Sequence, residues 1–467
     1  MRNRACRSER EDLRLQNRVA RRSTGRDSQY NSIAYGECVV PSSRFPMKVV
    51  MTEFHPAVHS AAVNAVAGDD SRHSDQRAYR MTSIDIVRGL VIVIMALDHV
   101  RDHMMIASVQ DPTADPSTGP LLFATRWITH FCAPTFVFLA GVSAGLMARR
   151  KNSGELARFL VLRGLWLILI EVLVISTAFS FAPTGIADLG GRTFIGLQVI
   201  WAIGASMVVL GGMQYLGPRA CLAVGLAIVF GHNLLDAVWP PASTTGITGP
   251  LWVVLHARQA YQVGPLWIYF SYPLLPWTGI MLVGYASASL FQLPAKLRDS
   301  RLIRAGSALV IGFVLLRALA IYGDPGAWHV TPDNLSASAM SFLATTKYPP
   351  SLLYTLMTLG PAAIVCGFAD RMPGMIRNVL LTYGRAPLAF YIAHFYLIHT
   401  LSILLGLSEG FQAGQFLTVY RFFPKGYGVS LGGIYLLWVA VVVLLYPLCR
   451  YVCAVKARRR DWWLSFL

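Results

Sequence analysis

The densest set of side chains able to do chemistry lies in one apolar run, where the order is Asp98-His99-Val100-Arg101-Asp102-His103. In a helix His99 and His103 stand one turn apart on one face, and Asp98 and Asp102 pair on the adjacent strip. A carboxylate beside an imidazole orients the ring and raises its basicity, which is what a general base near neutral pH requires. Two other readings stay open. A solvated helix end with Asp98 and Arg101 paired at i,i+3 shows the same residues, and two histidines at i,i+4 can share a metal ion. The H-E-x-x-H order is absent and no third ligand is dictated, so no metal site is assigned.

Other ionisable groups fall in apolar runs, where they are expensive and therefore informative. Arg88 precedes the histidines on the same run, with Asp85 three residues before it. It is either an orienting charge at the membrane surface or a guanidinium that holds phosphates. His130 belongs to the next run, at a depth similar to His99 if the two helices are antiparallel, and is a candidate third histidine. Glu171, Gln198, His232, Asn233 and Asp236 are candidates for a polar cavity, with interhelix hydrogen bonding as the alternative. Tyr391, His394, Tyr396 and His399 draw a polar stripe along a late run, better suited to a cavity than to lipid. Lys347-Tyr348-Pro349-Pro350-Ser351 and Tyr383-Gly384-Arg385-Ala386-Pro387 precede late runs and read as punctuation, since proline fits a helix's first turn.

The elements that must position these residues are membrane helices. Of 467 residues 54% are hydrophobic and 14% charged, too apolar for an ordinary soluble chain of this length. Apolar runs near 84–106, 121–147, 156–180, 195–216, 219–238, 265–292, 304–322, 350–369, 386–407 and 428–454 each approach the ~20 residues a span needs. The fold class expected is all-α, a polytopic bundle of about ten transmembrane helices. Arg149, Arg150, Lys151 and Arg158, then Lys296, Arg298, Arg301 and Arg304, then Lys456, Arg458 and Arg459 gather on one side, which puts both termini in the cytoplasm. This distribution accounts for the formal charge of +17 without nucleic-acid binding. Residues 1–80 lack periodic apolar positions and read as a disordered basic tail, with Met47, Met51 and Met81 as alternative starts. The membrane domain occupies 81–455, and 456–467 form a basic cytoplasmic tail. The other loops, 181–194, 239–264, 323–349 and 408–427, are poor in Lys and Arg and are either a substrate mouth or plain connections. Cys132, Cys221, Cys366, Cys449 and Cys453 have no ligand-like spacing and read as buried free thiols.

Ser83-Ile84-Asp85 with Arg88-Gly89, then Asp98-His99-Val100-Arg101-Asp102, Phe136-Val137-Phe138-Leu139-Ala140-Gly141, Lys347-Tyr348-Pro349-Pro350-Ser351 and Gly384-Arg385-Ala386-Pro387 occur in that order. Together they resemble the bacterial branch of the heparan-α-glucosaminide N-acetyltransferase-type membrane domain, from about Met81 to about Val455. The resemblance implies a multi-span acyltransferase of the bacterial inner or plasma membrane. It would take an acetyl group from cytoplasmic acetyl-CoA, as co-substrate rather than bound cofactor, and deliver it to a sugar or glycan acceptor on the other face. The lysosomal members use a histidine after the first span. The loop beginning near Met104 has none at that spacing, so His99 and His103 stand in for it.

On this reading Arg88 and Arg385 attract the CoA phosphates, and His99, oriented by Asp98 or Asp102, deprotonates the acceptor or is transiently acylated. His103 and His130 complete the catalytic set, and Glu171, Gln198, Lys347, Tyr348, Tyr391, His394 and His399 line the substrate cavity. The bilayer, acyl-CoA and the acceptor are the partners, and a homo-oligomer is compatible. A transporter with protonatable groups near the midplane is the alternative, although no repeat relates the two halves. A scaffold without chemistry would not need so many buried ionisable groups.

Overall fold

The computed structural model describes residues 82–106, 111–238, 248–459 and 461. The N-terminal tail expected over 1–80 and the last residues of the C-terminal tail lie outside them. The described chain is mostly helical, with one small sheet. Helix α1 covers 82–104, and α2 (Pro120–Thr129) and α3 (Cys132–Met147) follow. Next come α4 (Ser153–Ser180), α5 (Val199–Met213), α6 (Gly217–Gly231) and α7 (Thr248–Leu255). The second half contains α8 (Leu274–Ala286), α9 (Ala295–Leu319), α10 (Leu335–Leu343) and α11 (Leu352–Phe368). It ends with α12 (Gly374–Arg385), α13 (Pro387–Ser408) and α14 (Leu431–Arg458).

Among the described residues eight helical stretches are long and apolar enough to cross a membrane, and the chain is a polytopic membrane protein. The ten runs read from sequence map onto these and α1. The stretch Val199–Asp236 holds two of the runs, because Gly217 at φ +82° breaks it between α5 and α6. Helix α1 is kept out of the eight by Asp85, Arg88, Asp98, Arg101 and Asp102. It runs from an end marked by Asp85 and Arg88 to one marked by Asp102 and His103, and these name the two ends of the bundle below.

Local signals start the helices. Asn152 accepts from Glu155 N at 2.8 Å, and Ser351 accepts from Tyr354 N at 3.0 Å. Pro120 and Pro387 sit in first turns, where the missing N–H costs nothing. Helices then meet through glycines. A Cβ on Gly141 or Gly284 would collide with backbone atoms across the α3–α8 contact, and Gly306 faces Gly360 between α9 and α11.

One expectation needs correcting. The run expected to enter the sixth span at 265 begins as a strand, and the helix starts only at Leu274. Strands β1 (Thr193–Leu197), β2 (Gln259–Val263) and β3 (Leu266–Phe270) form a sheet in the order β1-β3-β2. β1 runs parallel to β3 with Phe194 opposite Trp267, and β2 runs antiparallel with Tyr261 opposite Ile268. The two residues between β2 and β3, Gly264-Pro265, make a hairpin. This sheet, built from segments read only as loops or span, roofs the site.

Candidate active site

At the His103 end a cavity of about 260 Å³ is lined by Asp98, His99 and Asp102 of α1, with Arg126 and Thr129 of α2. Gln198, between β1 and α5, joins them, as do Arg258, Trp267 and Tyr269 of the sheet region. Lys347, Tyr348, Tyr391, Tyr420 and Arg421 close it from the second half.

The carboxylates are turned to arginines rather than to imidazoles. Arg126 donates to Asp98 Oδ2, Arg101 reaches Asp98 Oδ1 at 2.9 Å, and the Thr129 hydroxyl donates to that same oxygen at 3.0 Å. Asp102 is also held by Arg101. Asp98 is buried, so the pairing at i,i+3 exists but is not solvated. An isolated charge there would be costly, and the paired network is what keeps α1 inside the bundle.

His99 faces the cavity with its ring against Phe395 at 4.4 Å and His394 at 5.2 Å between centroids. His394 donates from Nδ1 to the carbonyl of Tyr391, which leaves Nε2 buried and without a partner among the described residues. Tyr391 lines the cavity, and its hydroxyl is likewise unpartnered.

Other candidates sit elsewhere. His103 donates from Nδ1 to His99 O at 2.8 Å and packs among Phe179, Tyr420 and Phe423. Both ring nitrogens of His399 lie against carbonyls, Ala178 O at 2.9 Å and Phe416 O at 2.8 Å, and Phe181 stacks on its ring at 4.0 Å. His130 packs beside Tyr354 with both ring nitrogens buried and unpartnered, and it does not line the cavity. Glu171, on the π turn Glu171–Ile175, accepts from Trp201 N at 2.9 Å and so caps the start of α5. Asp236 accepts from Asn233 of its own turn at 2.8 Å, whereas the bonds between elements are the one from His256 to Asp236 at 2.8 Å and the one from Leu352 N to Asn233 Oδ1 at 2.9 Å. Among the described residues no group of three or more His, Cys, Asp or Glu is arranged to hold a metal ion.

A second cavity, of about 560 Å³, opens toward the Arg88 end. Arg88, Lys151 and Arg163 give it a basic mouth, and Ile92, Phe159, Leu167, Ile203 and Met207 give it apolar walls. Arg88 is fixed by Ser143, by Leu139 O at 3.2 Å and by Asp85 at 3.3 Å. Arg385 lies at the same end, 3.8 Å from Asp85, but does not line the cavity. The two cavities share Met95, Phe136, Val199 and Tyr391, so they abut.

A third, of about 850 Å³, lies beyond the first and shares Arg258, Lys347 and Tyr348 with it. Its wall from 323–349 is pinned by Arg317, which donates to Gly326 O at 2.6 Å, Ala344 O at 2.6 Å and Phe342 O at 3.1 Å. Described residues from each loop read as a mouth or as connections, Leu189, Arg258, Lys347 and Tyr420 among them, line these cavities.

A model of the catalytic domain of heparan-α-glucosaminide N-acetyltransferase matches residues 80–322. The chain belongs to this family. No curated protein matches it. As a heparan-α-glucosaminide N-acetyltransferase family member it is a transmembrane protein of acetyltransferase type. The matched part carries Arg88, Asp98, His99, Arg126, Gln198 and Arg258, whereas Lys347, Tyr348, Tyr391 and Arg421 come from beyond it. Sequence reading did not single out Arg126, although a buried arginine in an apolar run was a signal it could have used. Nothing in the sequence marks Arg258 or Arg421, which meet the site only through the fold.

Proposed function

We propose that this family member is a membrane-embedded acyltransferase. It takes an acyl group, in the first instance acetyl, from acyl-CoA at the Arg88 end and passes it to a sugar or glycan acceptor that enters at the His103 end. The observation that carries this reading is the end-to-end meeting of two cavities at Met95, Phe136, Val199 and Tyr391, one with a basic mouth and the other containing His99.

Arg88, Lys151 and Arg163 suit the phosphates of CoA, and the apolar walls beyond them suit a pantetheine arm. His99 lies eleven helical steps from Arg88, about 16 Å at ~1.5 Å per residue, a reach that an extended pantetheine covers. The positive-inside rule makes the Arg88 end cytoplasmic, since Lys151, Arg385 and Lys456 gather there.

In the transfer, His99 takes the proton from the acceptor hydroxyl or amine, and the freed electron pair attacks the thioester carbonyl. The C–S bond breaks, and the proton leaves with the CoA thiol. Because Asp98 and Asp102 are engaged by arginines, His99 is held by ring packing rather than by a carboxylate. The alternative, acetyl-His99 as an intermediate, splits the same chemistry into two steps. A path through the bundle also suits a solute permease, and one experiment separates the readings. Proteoliposomes given labelled acetyl-CoA on the Arg88 face should label an amino sugar held on the other face without passing intact acetyl-CoA. Flux of unmodified solute with no transferred label would favour the permease.

A further inference from the structure

Passing an acyl group takes two protein groups, a base for the incoming nucleophile and a hydrogen-bond donor for the carbonyl oxygen that turns negative as its carbon becomes tetrahedral. His99 serves as the first. The second has to stand where the carbonyl stops.

That place follows from how the two cavities meet. Of the four residues they share, Met95, Phe136 and Val199 are apolar, and Tyr391 alone carries a polar side-chain group. Met95 lines both cavities, whereas His99, four residues and about 6 Å further along α1 at ~1.5 Å per residue, lines the one at the His103 end and not the one at the Arg88 end. A thioester entering from the Arg88 end therefore brings its carbonyl to the level of Met95 and Tyr391, with His99 on the acceptor's side of it.

Tyr391 is 5% exposed, and its hydroxyl has no hydrogen-bond partner among the described residues. A buried hydroxyl without a partner costs free energy that an arriving oxygen recovers. The other hydroxyl on the wall of the Arg88-end cavity, that of Ser143, is already spent, since it donates to Leu139 O at 2.7 Å. Tyr391 is also firmly placed. Its backbone carbonyl accepts from His394, and its ring stands edge-on to Phe395 at 5.2 Å between centroids. His99 packs on that same Phe395 ring at 4.4 Å, so one phenylalanine fixes the base and the phenol relative to each other.

Resting on the acyltransferase reading, we propose that the Tyr391 hydroxyl is the oxyanion donor of the transfer. It donates a hydrogen bond to the thioester carbonyl oxygen. As the acceptor's freed electron pair bonds to the carbonyl carbon, the C=O π pair moves onto that oxygen and the hydrogen bond strengthens, while the phenol keeps its proton. When the pair returns to remake C=O, the C–S bond breaks and the departing sulfur takes the proton held by His99. Because the bond gains most in the transition state, it acts on the rate more than on binding.

The test compares wild type, Tyr391→Phe and His99→Ala as full chains in nanodiscs, with acetyl-CoA as the probe. Calorimetry gives its affinity, slow hydrolysis to acetate and CoA gives kcat, and infrared difference spectra with acetyl-CoA carbon-13 labelled at the carbonyl give the stretch of the bound C=O. Tyr391→Phe keeps the ring and its packing on Phe395. It should bind acetyl-CoA as wild type does and lose about a hundredfold to a thousandfold in kcat, the loss typical of removing one oxyanion donor. Its bound C=O band should also move to higher wavenumber. His99→Ala should leave that band at its wild-type position, although it removes the base. A band that stays put in Tyr391→Phe overturns the inference whatever the rate, and so does a wild-type rate in that variant or a rate loss matched by an equal loss of affinity. Each of these leaves the acyltransferase reading standing as long as wild type binds and hydrolyses acetyl-CoA. Wild-type protein that never binds acetyl-CoA removes that reading, and the inference with it.

Discussion

The ring of His99 on α1 lies 5.2 Å from the ring of His394 on α13, which packs at 4.3 Å against Phe395 and stacks on Phe390 at 5.5 Å. With Nδ1 spent on the Tyr391 carbonyl, His394 acts on His99 as a wall. His394→Phe should therefore keep most of the transfer rate, whereas His394→Ala should lower kcat by about ten- to a hundredfold with little change in KM. Equal damage from both variants would mean that His394 takes part in proton movement.

Asp98 is the hub of the buried ion network, bonded to Arg101, Arg126 and Thr129. Asp98→Asn leaves two buried guanidiniums short of a counter-charge and should cost about 3–5 kcal/mol. Thermal unfolding in detergent measures this. A variant as stable as wild type but inactive would give Asp98 a direct chemical role.

Gly89 and Gly384 belong to the motifs that carry the family resemblance, but their place in the structure is mechanical. A Cβ on Gly89 would strike the Leu380 carbonyl, and one on Gly384 the carbonyl of Asp85, so α1 and α12 touch backbone to backbone. Gly384→Ala should lower stability by about 1–3 kcal/mol through overpacking. Activity per folded molecule should stay near wild type, as shown by unfolding and transfer assays on one preparation.

Asp111 lies in the loop between α1 and α2. Burial raises its pKa, but Arg126 and the hydrogen bonds from Thr113 outweigh this and bring it down to about 2. A carboxyl depressed below its unfolded value of about 3.9 stabilises the fold above that pH and loses the contribution as pH falls toward about 2. Asp111→Asn should thus be less stable than wild type at pH 7, and the gap should close as the pH is lowered through that window. A gap unchanged at pH 3 and below would contradict the assignment.

Much of this site is legible in the sequence because polar and ionisable residues in apolar runs are rare. Asp98, His99, Arg88, Gln198, Lys347, Tyr348 and Tyr391 are all noticed on that ground or by motif, and all line one of the abutting cavities. Helical periodicity puts His103 on the face of His99, but a shared face does not set depth or neighbours, and the aromatic rings around His103 come from distant segments. The same limit hides the real partners of Asp98 and Asp102, since Arg126 arrives from another helix. The β2–β3 hairpin escapes because Leu266 to Phe270 continues an apolar run. Only the Gly264-Pro265 turn between two short runs distinguishes it from the start of a helix.

The most direct measurement is binding and slow hydrolysis of labelled acetyl-CoA by the purified protein, wild type against Arg88→Ala and His99→Ala. Saturable binding should weaken about tenfold to a hundredfold in Arg88→Ala, the loss expected for a charge-assisted contact. His99→Ala should bind normally and lose hydrolysis by about two to four orders of magnitude. Well-folded wild-type protein that does not bind acetyl-CoA would contradict the account.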